Sequence, residues 1–393
     1  MAHNRIDVHQ HLVPPFWSKD LERHGGDPSG WDSPRWSPDD AINYMDSLEI
    51  ATGMLSLTAP SIEGWAGKER ADMARRVNDY GTGLVQRRPD RFGFFATLAL
   101  PDADAALTEI GRAFDELKVD GVVLMSNYEG VYLGHPSFEA VWKELDRRGA
   151  VVYIHPAKPQ IPLLPGIPGP VIDYPFDSTR TAVDLVAAGH MTRFRSVKVI
   201  LSHAGGFLPY AAARFAELLH ALNPKRTVEA LTSDMQAFYF DTALSTPTGL
   251  PSLLAFAAPE HILFGSDYPY APATVATTFT HHLDTYQGFE SGELAGINVA
   301  ARALFPRLSK QEKTQRHTAS CTTTAMMAVG NSGPGGARPR GGEVVSGGLE
   351  AKSGRAAPAN SRGQEVRIWA VMAILCLVIL IAGCILWAKI SGA

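Results

Sequence analysis

Cysteine is scarce in this chain. Of 393 residues only three are cysteine, and Cys321, Cys376 and Cys384 all lie beyond residue 320. Residues 1–308 therefore offer no disulfide, no thiol nucleophile and no thiolate ligand, which suits a reducing compartment. An excess of basic charge is missing too. The formal net charge is −4, but residues 309–367 carry nine Lys or Arg against four Asp or Glu, which leaves about −10 on residues 1–308. A phosphate-binding surface needs a basic body, so nucleic acid is not an expected partner. No Gly-rich dinucleotide fingerprint is present, and the opening MAHNRIDVHQH holds no apolar run of signal-peptide kind.

What is present is enough apolar sequence, 45% of the residues, to fill one large domain. Eight short apolar runs recur, at residues 6–8, 52–57, 92–98, 121–125, 151–154, 197–201, 238–240 and 262–264. Helical patterns lie between most of them. In residues 136–148, for example, Phe138, Val141, Trp142 and Leu145 fall three or four apart, and Gly149 provides the stop. Runs that are continuously apolar imply strands buried on both faces, and helices between strands imply parallel pairing. The expected fold is an α/β (β/α)8 TIM barrel over residues 1–308.

After residue 308 the composition shifts to Gly, Ser, Pro and Ala. Residues 309–367 read as a disordered linker, because they cannot bury enough apolar area to offset their ordering entropy. Residues 368–387 follow, twenty residues without a charge. As a helix at about 1.5 Å per residue they match the roughly 30 Å hydrocarbon core of a bilayer. Trp369 and Trp387 sit at its ends and Arg362 and Arg367 precede it. The expectation is a tail-anchored membrane protein whose folded domain faces the cytosol, or a cytosolic protein if the tail is not retained.

The residues that carry chemistry cluster at the ends of the apolar runs. His9 and His11 are two apart in the first run, so both imidazoles project from one face of a strand. His155 closes the fifth run, His203 the sixth, and Asp267 follows the eighth. In a parallel barrel these positions meet at the carboxyl-terminal mouth. Three imidazoles and one carboxylate, His9, His11, His155 and Asp267, suit Zn2+ or another borderline divalent ion, Mn2+ being the second candidate. His203 is either a further ligand or the proton-transfer group, since imidazole titrates near neutrality. Each residue alone has a plain structural reading; the joint pattern is the specific signal. Arg180 is a candidate for holding a substrate carboxylate, with pairing to Asp177 or Asp184 the alternative. Asn127 is a candidate pocket residue or a turn residue. Phe16, Trp17 and Trp31 either wall an aromatic pocket or anchor their loop. His135, His281 and His282 read as surface or helix residues.

The motifs DVHQH, YIHP, SHAGG and FGSDYP together resemble the amidohydrolase superfamily, specifically its metal-dependent decarboxylase branch, typified by aminocarboxymuconate semialdehyde and γ-resorcylate decarboxylases. The stretches GGDPSGW (residues 25–31) and PFDSTRTAVDLV (residues 175–186) are similar to fungal 6-methylsalicylate decarboxylases in particular. The resemblance covers residues 1 to about 308. It implies His9, His11, His155 and Asp267 as metal ligands and His203 as the catalytic histidine. Two-metal relatives use a carboxylated lysine on the fourth strand; residues 121–126 contain none, so one ion is implied. It further implies loss of CO2 from an ortho-hydroxybenzoate such as 6-methylsalicylate, giving m-cresol in polyketide secondary metabolism, and a homodimer. Asp267 is then the candidate proton donor with His203 orienting it, though the two roles are interchangeable. Two other function classes stay open: a hydrolase opening a lactone or amide with the same ion, and a membrane-tethered binding protein with a vestigial site.

Overall fold

The computed structural model describes residues 5–308. Both the linker expected at 309–367 and the membrane span expected at 368–387 lie outside the described residues. Among the described residues no helix is long and apolar enough to cross a membrane.

Among the described residues ten strands are present, in chain order β1 (Arg5–His11), β2 (Ile50–Ser56), β3 (Phe92–Thr97), β4 (Gly121–Met125), β5 (Asn127–Tyr128), β6 (Val131–Tyr132), β7 (Val151–His155), β8 (Lys198–Leu201), β9 (Tyr239–Asp241) and β10 (Ile262–Leu263). Eight of them form a parallel sheet in the order β1-β2-β3-β4-β7-β8-β9-β10. The segment after β10 returns to β1. Val8 N–H donates to the Phe264 carbonyl at 2.9 Å, Asp267 N–H to the His9 carbonyl at 2.8 Å, and His11 N–H to the Tyr268 carbonyl at 2.8 Å. These bonds close the ring into a TIM barrel, and each of the eight apolar runs contributes one barrel strand. The remaining two strands, β5 and β6, pair only with each other as an antiparallel hairpin above β4.

Every residue of β1, β3, β4 and β7 is buried. The barrel bore is filled rather than open: Phe95 stacks on Tyr153 at 5.4 Å between ring centroids, and Phe305 tilts against Phe95 from below. Outside, the helix Glu139–Arg148 buries Val141, Trp142 and Leu145 and ends where Gly149 turns into the left-handed region at φ 59°. Its expected first turn, residues 136–138, is a separate 3-10 turn capped by His135.

Candidate metal centre

At the carboxyl-terminal mouth the barrel brings His9, His11, His155 and Asp267 together, with one ligating atom of each within 4.8 Å of all the others. His9 and His11 are fully buried and His155 nearly so. The Nε2 atoms of His9 and His11 are 3.0 Å apart, and each is 3.1 Å from Asp267 Oδ1. His203 faces the same space, its ring 4.9 Å from that of His9.

The opposite edge of each ring is already engaged. His9 Nδ1–H donates to Asp241 Oδ2 at 2.9 Å, His11 Nδ1–H to Ser56 Oγ at 3.1 Å, and His155 Nδ1–H to the Pro156 carbonyl at 2.8 Å. These bonds place a proton on each Nδ1 and turn the three Nε2 atoms inward, the arrangement that outer-shell partners give metal-bound histidines. Four buried polar groups facing one another would be costly without a shared cation. The donor set therefore fits one divalent metal ion.

Charge in the cluster is distributed unevenly. Burial works against the His9 imidazolium, but the carboxylates of Asp241 and Asp267 outweigh it and raise its pKa to about 10. Burial works against the Asp267 carboxylate too, yet the neighbouring imidazoles of His9 and His11 hold it well below the ordinary range. Burial pushes His11, His155 and His203 down, so these three are neutral near pH 7. A cation held by the cluster would stand where the His9 proton stands, so its binding would release that proton.

Asp241 is the residue that sequence reasoning missed. It is fully buried, and besides holding His9 it accepts the backbone N–H of His203 on Oδ1 at 2.9 Å, so one carboxylate positions both His9 and His203. The signal was available, because Asp241 directly follows the apolar run 238–240 as Asp267 follows its own. Gly265 belongs to the same arrangement. A Cβ there would lie 2.9 Å from His9 Cβ and 3.0 Å from Asp241 Cβ, so only glycine passes between them. Asp241→Asn is expected to weaken metal affinity or turnover about 10- to 100-fold by loosening the His9 ring; metal-binding titration of the purified variant checks this.

His203 and Asp267 both adopt left-handed backbone angles, φ 53° and 65°. Non-glycine residues held there cost on the order of 1–3 kcal/mol, and such strain gathers at working sites. His203 Nδ1–H donates to the Ala243 carbonyl at 3.2 Å, which leaves Nε2 as an acceptor.

Next to the cluster opens a cavity of about 640 Å3, lined by His155, His203 and Asp267 on one side and by residues such as Trp31, Phe207, Leu244 and Phe279 on the other. Its volume is that of a small-molecule site. Four residues expected to bind substrate lie elsewhere. Arg180 is exposed and stacks on the rings of Tyr132 and Phe176. Asn127 is spent on Asp177 at 2.8 Å and on the Gly130 amide at 2.9 Å, its turn role. Phe16 packs under Arg76 and against Tyr80. Trp17 is fully buried, its indole N–H on the Ser61 carbonyl at 2.7 Å. Trp31, from the same loop region, does line the cavity, whereas His135 and His281 are exposed. No Lys or Arg lines the cavity among the described residues.

Comparison with known proteins agrees with this geometry. The amidohydrolase family profile matches residues 6–312. A decarboxylase of Penicillium terrestre, macB, is 41% identical over 333 residues, 79% of this chain and 98% of that protein. The 6-methylsalicylic acid decarboxylase of Penicillium expansum is 41% identical over 315 residues, covering 77% and 97%. Among solved structures, an amidohydrolase II superposes with TM-score 0.72 at 32% identity over 77% of this chain and 99% of that one.

Proposed function

The chain belongs to the amidohydrolase family, and from that membership we propose that it is a metal-dependent carboxy-lyase whose substrate is 6-methylsalicylate and whose products are m-cresol and CO2. The observation that carries this reading is the His3Asp cluster opening onto a ring-sized cavity that offers no cationic side chain. A benzoate bound there must have its charge met at the cluster.

Expelling CO2 from an aromatic ring leaves an electron pair in an sp2 orbital that the ring cannot delocalise, so the ring carbon has to be protonated first. Overall, one proton is taken up at the carbon that carried each carboxylate lost. A divalent ion on His9, His11, His155 and Asp267, Zn2+ by its donor set, would supply a Lewis acid for the carboxylate and the neighbouring phenolic oxygen. The protein's own groups do the rest. Phe207, Leu244 and Phe279 pack the ring and thin the water around it. His203, neutral and with Nε2 as acceptor, takes the phenolic proton; Asp267, ionised at rest, receives that proton from His203 and passes it to the ring carbon, and the cresolate left after CO2 departs takes up one proton from water. A lactone or amide hydrolase would share the ion, but the 41%-identical relatives are named decarboxylases. The test is chromatography after incubating the full chain with 6-methylsalicylate. m-Cresol and CO2 in equal amounts support the proposal; no consumption of 6-methylsalicylate sinks it.

The arrangement of the rest of the chain is part of the same proposal: a catalytic domain over 1–308, a linker over 309–367, and a membrane span over 368–387 that leaves the domain cytosolic. The charge-free run of twenty residues supports the span. A homodimer is supported by apolar side chains exposed around the barrel mouth, among them Ile161, Leu164, Val171 and Tyr210. Full-length protein is expected to stay in the membrane pellet after alkaline carbonate extraction and to give the mass of two chains by light scattering once solubilised.

A further inference from the structure

Tyr270 stands three residues beyond Asp267, and its N-terminal neighbours are tied to the metal loop by the cluster's own bonds. The turn is closed by Ala271 N–H donating to the Asp267 carbonyl at 2.8 Å. The ring meets His11 edge-on, 5.6 Å between centroids and 89° between planes, so its position is coupled to a ligand. The residue lines the cavity. Its hydroxyl is buried and no hydrogen bond to it is formed among the described residues, Ser33 being the polar side chain near enough to influence it. Several other polar side-chain atoms are buried without partners, but none of the others belongs to a residue that lines this cavity.

A buried hydroxyl left unpaired is destabilising, and a phenylalanine would fill the same space without that cost. The hydroxyl therefore has a use when the cavity is filled. A phenol with an ordinary pKa of about 10 keeps its proton at neutral pH and donates. The acceptor it suits best is an anionic oxygen, since hydrogen bonds to charged groups are the strong ones.

We propose that the Tyr270 hydroxyl donates a hydrogen bond to an anionic oxygen of the substrate, its carboxylate or its phenolate, and thereby determines which ring edge faces the histidine cluster. This rests on the decarboxylase reading above, and it assigns to Tyr270 the selection of an oxygen-bearing ring edge that the apolar wall cannot read.

The test is Tyr270→Phe in the full chain, which keeps the ring against His11. Calorimetric binding of 6-methylsalicylate and of m-cresol is measured on wild type and variant, beside kcat/KM and metal content. Loss of an unpaired hydroxyl should leave metal content and melting temperature unchanged or slightly improved. Affinity for 6-methylsalicylate and kcat/KM should fall about tenfold or more. If m-cresol affinity is untouched, the oxygen held is the carboxylate; if it falls in parallel, the phenolate. A loss under about fivefold, or one accompanied by loss of metal, overturns the proposal. Binding without turnover in wild type would instead count against the decarboxylase reading, while the wild-type-to-variant binding ratio would still decide the role of Tyr270.

Discussion

Substituting His203 by asparagine is expected to lower kcat by about 10²- to 10⁴-fold, the usual range for removing a proton-transfer group, while the purified variant keeps its full metal content. The separation follows from the geometry. His203 is held from outside the ligand cage, by the Ala243 carbonyl on Nδ1 and by Asp241 on its backbone N–H. None of the Nδ1 bonds that orient His9, His11 and His155 passes through it. KM should move little, because the cavity wall opposite is unchanged. Equal turnover in the variant would remove His203 from the chemistry; loss of metal would make it a fifth ligand. Rapid-quench kinetics alongside elemental analysis separates these outcomes.

The second large effect is expected at His11. Outer-shell changes at metal-bound histidines cost about 10- to 100-fold in affinity, and removing a ligand outright exceeds that range. His11→Ala should therefore abolish stoichiometric metal binding and turnover together. It should also remove the thermal stabilisation that added metal gives the wild type. That stabilisation follows mass action and reaches about 4 kcal/mol at a thousand times Kd. The measurement is a melting curve with and without metal for both proteins. A variant that still melts later with metal would show that the remaining three groups suffice.

The barrel was legible because burial on both faces of a parallel strand leaves an unbroken apolar run, and each of the eight runs became a strand of the ring. The cluster was legible for a related reason. A polar residue that ends such a run has one place to go, the mouth, and His9, His11, His155, His203 and Asp267 all go there. Asp241 obeys the same rule and was passed over because nothing near it in sequence suggested a ligand. Its role, holding His9 from the next strand but one around the ring, exists only once the segment after β10 closes onto β1 and brings β9 near it. Residues in helices and long loops were poorly legible. Arg180 lies on the helix Gly169–Ala187, and whether a helical side chain faces cavity or solvent depends on how the helix is rotated against the barrel. The same applies to Phe16 and Trp17 in their short helix Pro15–Leu21. Gly265 and Tyr270 lie in the loop that carries Asp267, and their roles come from close approach and an unpaired hydroxyl, neither of which a residue string displays.

The central claim is that a single cation held by His9, His11, His155 and Asp267 enables the protein to take CO2 off an ortho-hydroxybenzoate. It is tested most directly by stripping the full chain with chelator, adding back Zn2+ or Mn2+ in known fractions, and following m-cresol release from 6-methylsalicylate. The account predicts no activity in the stripped protein and a linear rise that levels off at one equivalent per chain. Undiminished m-cresol release from metal-free protein, or a break at two equivalents, would contradict it.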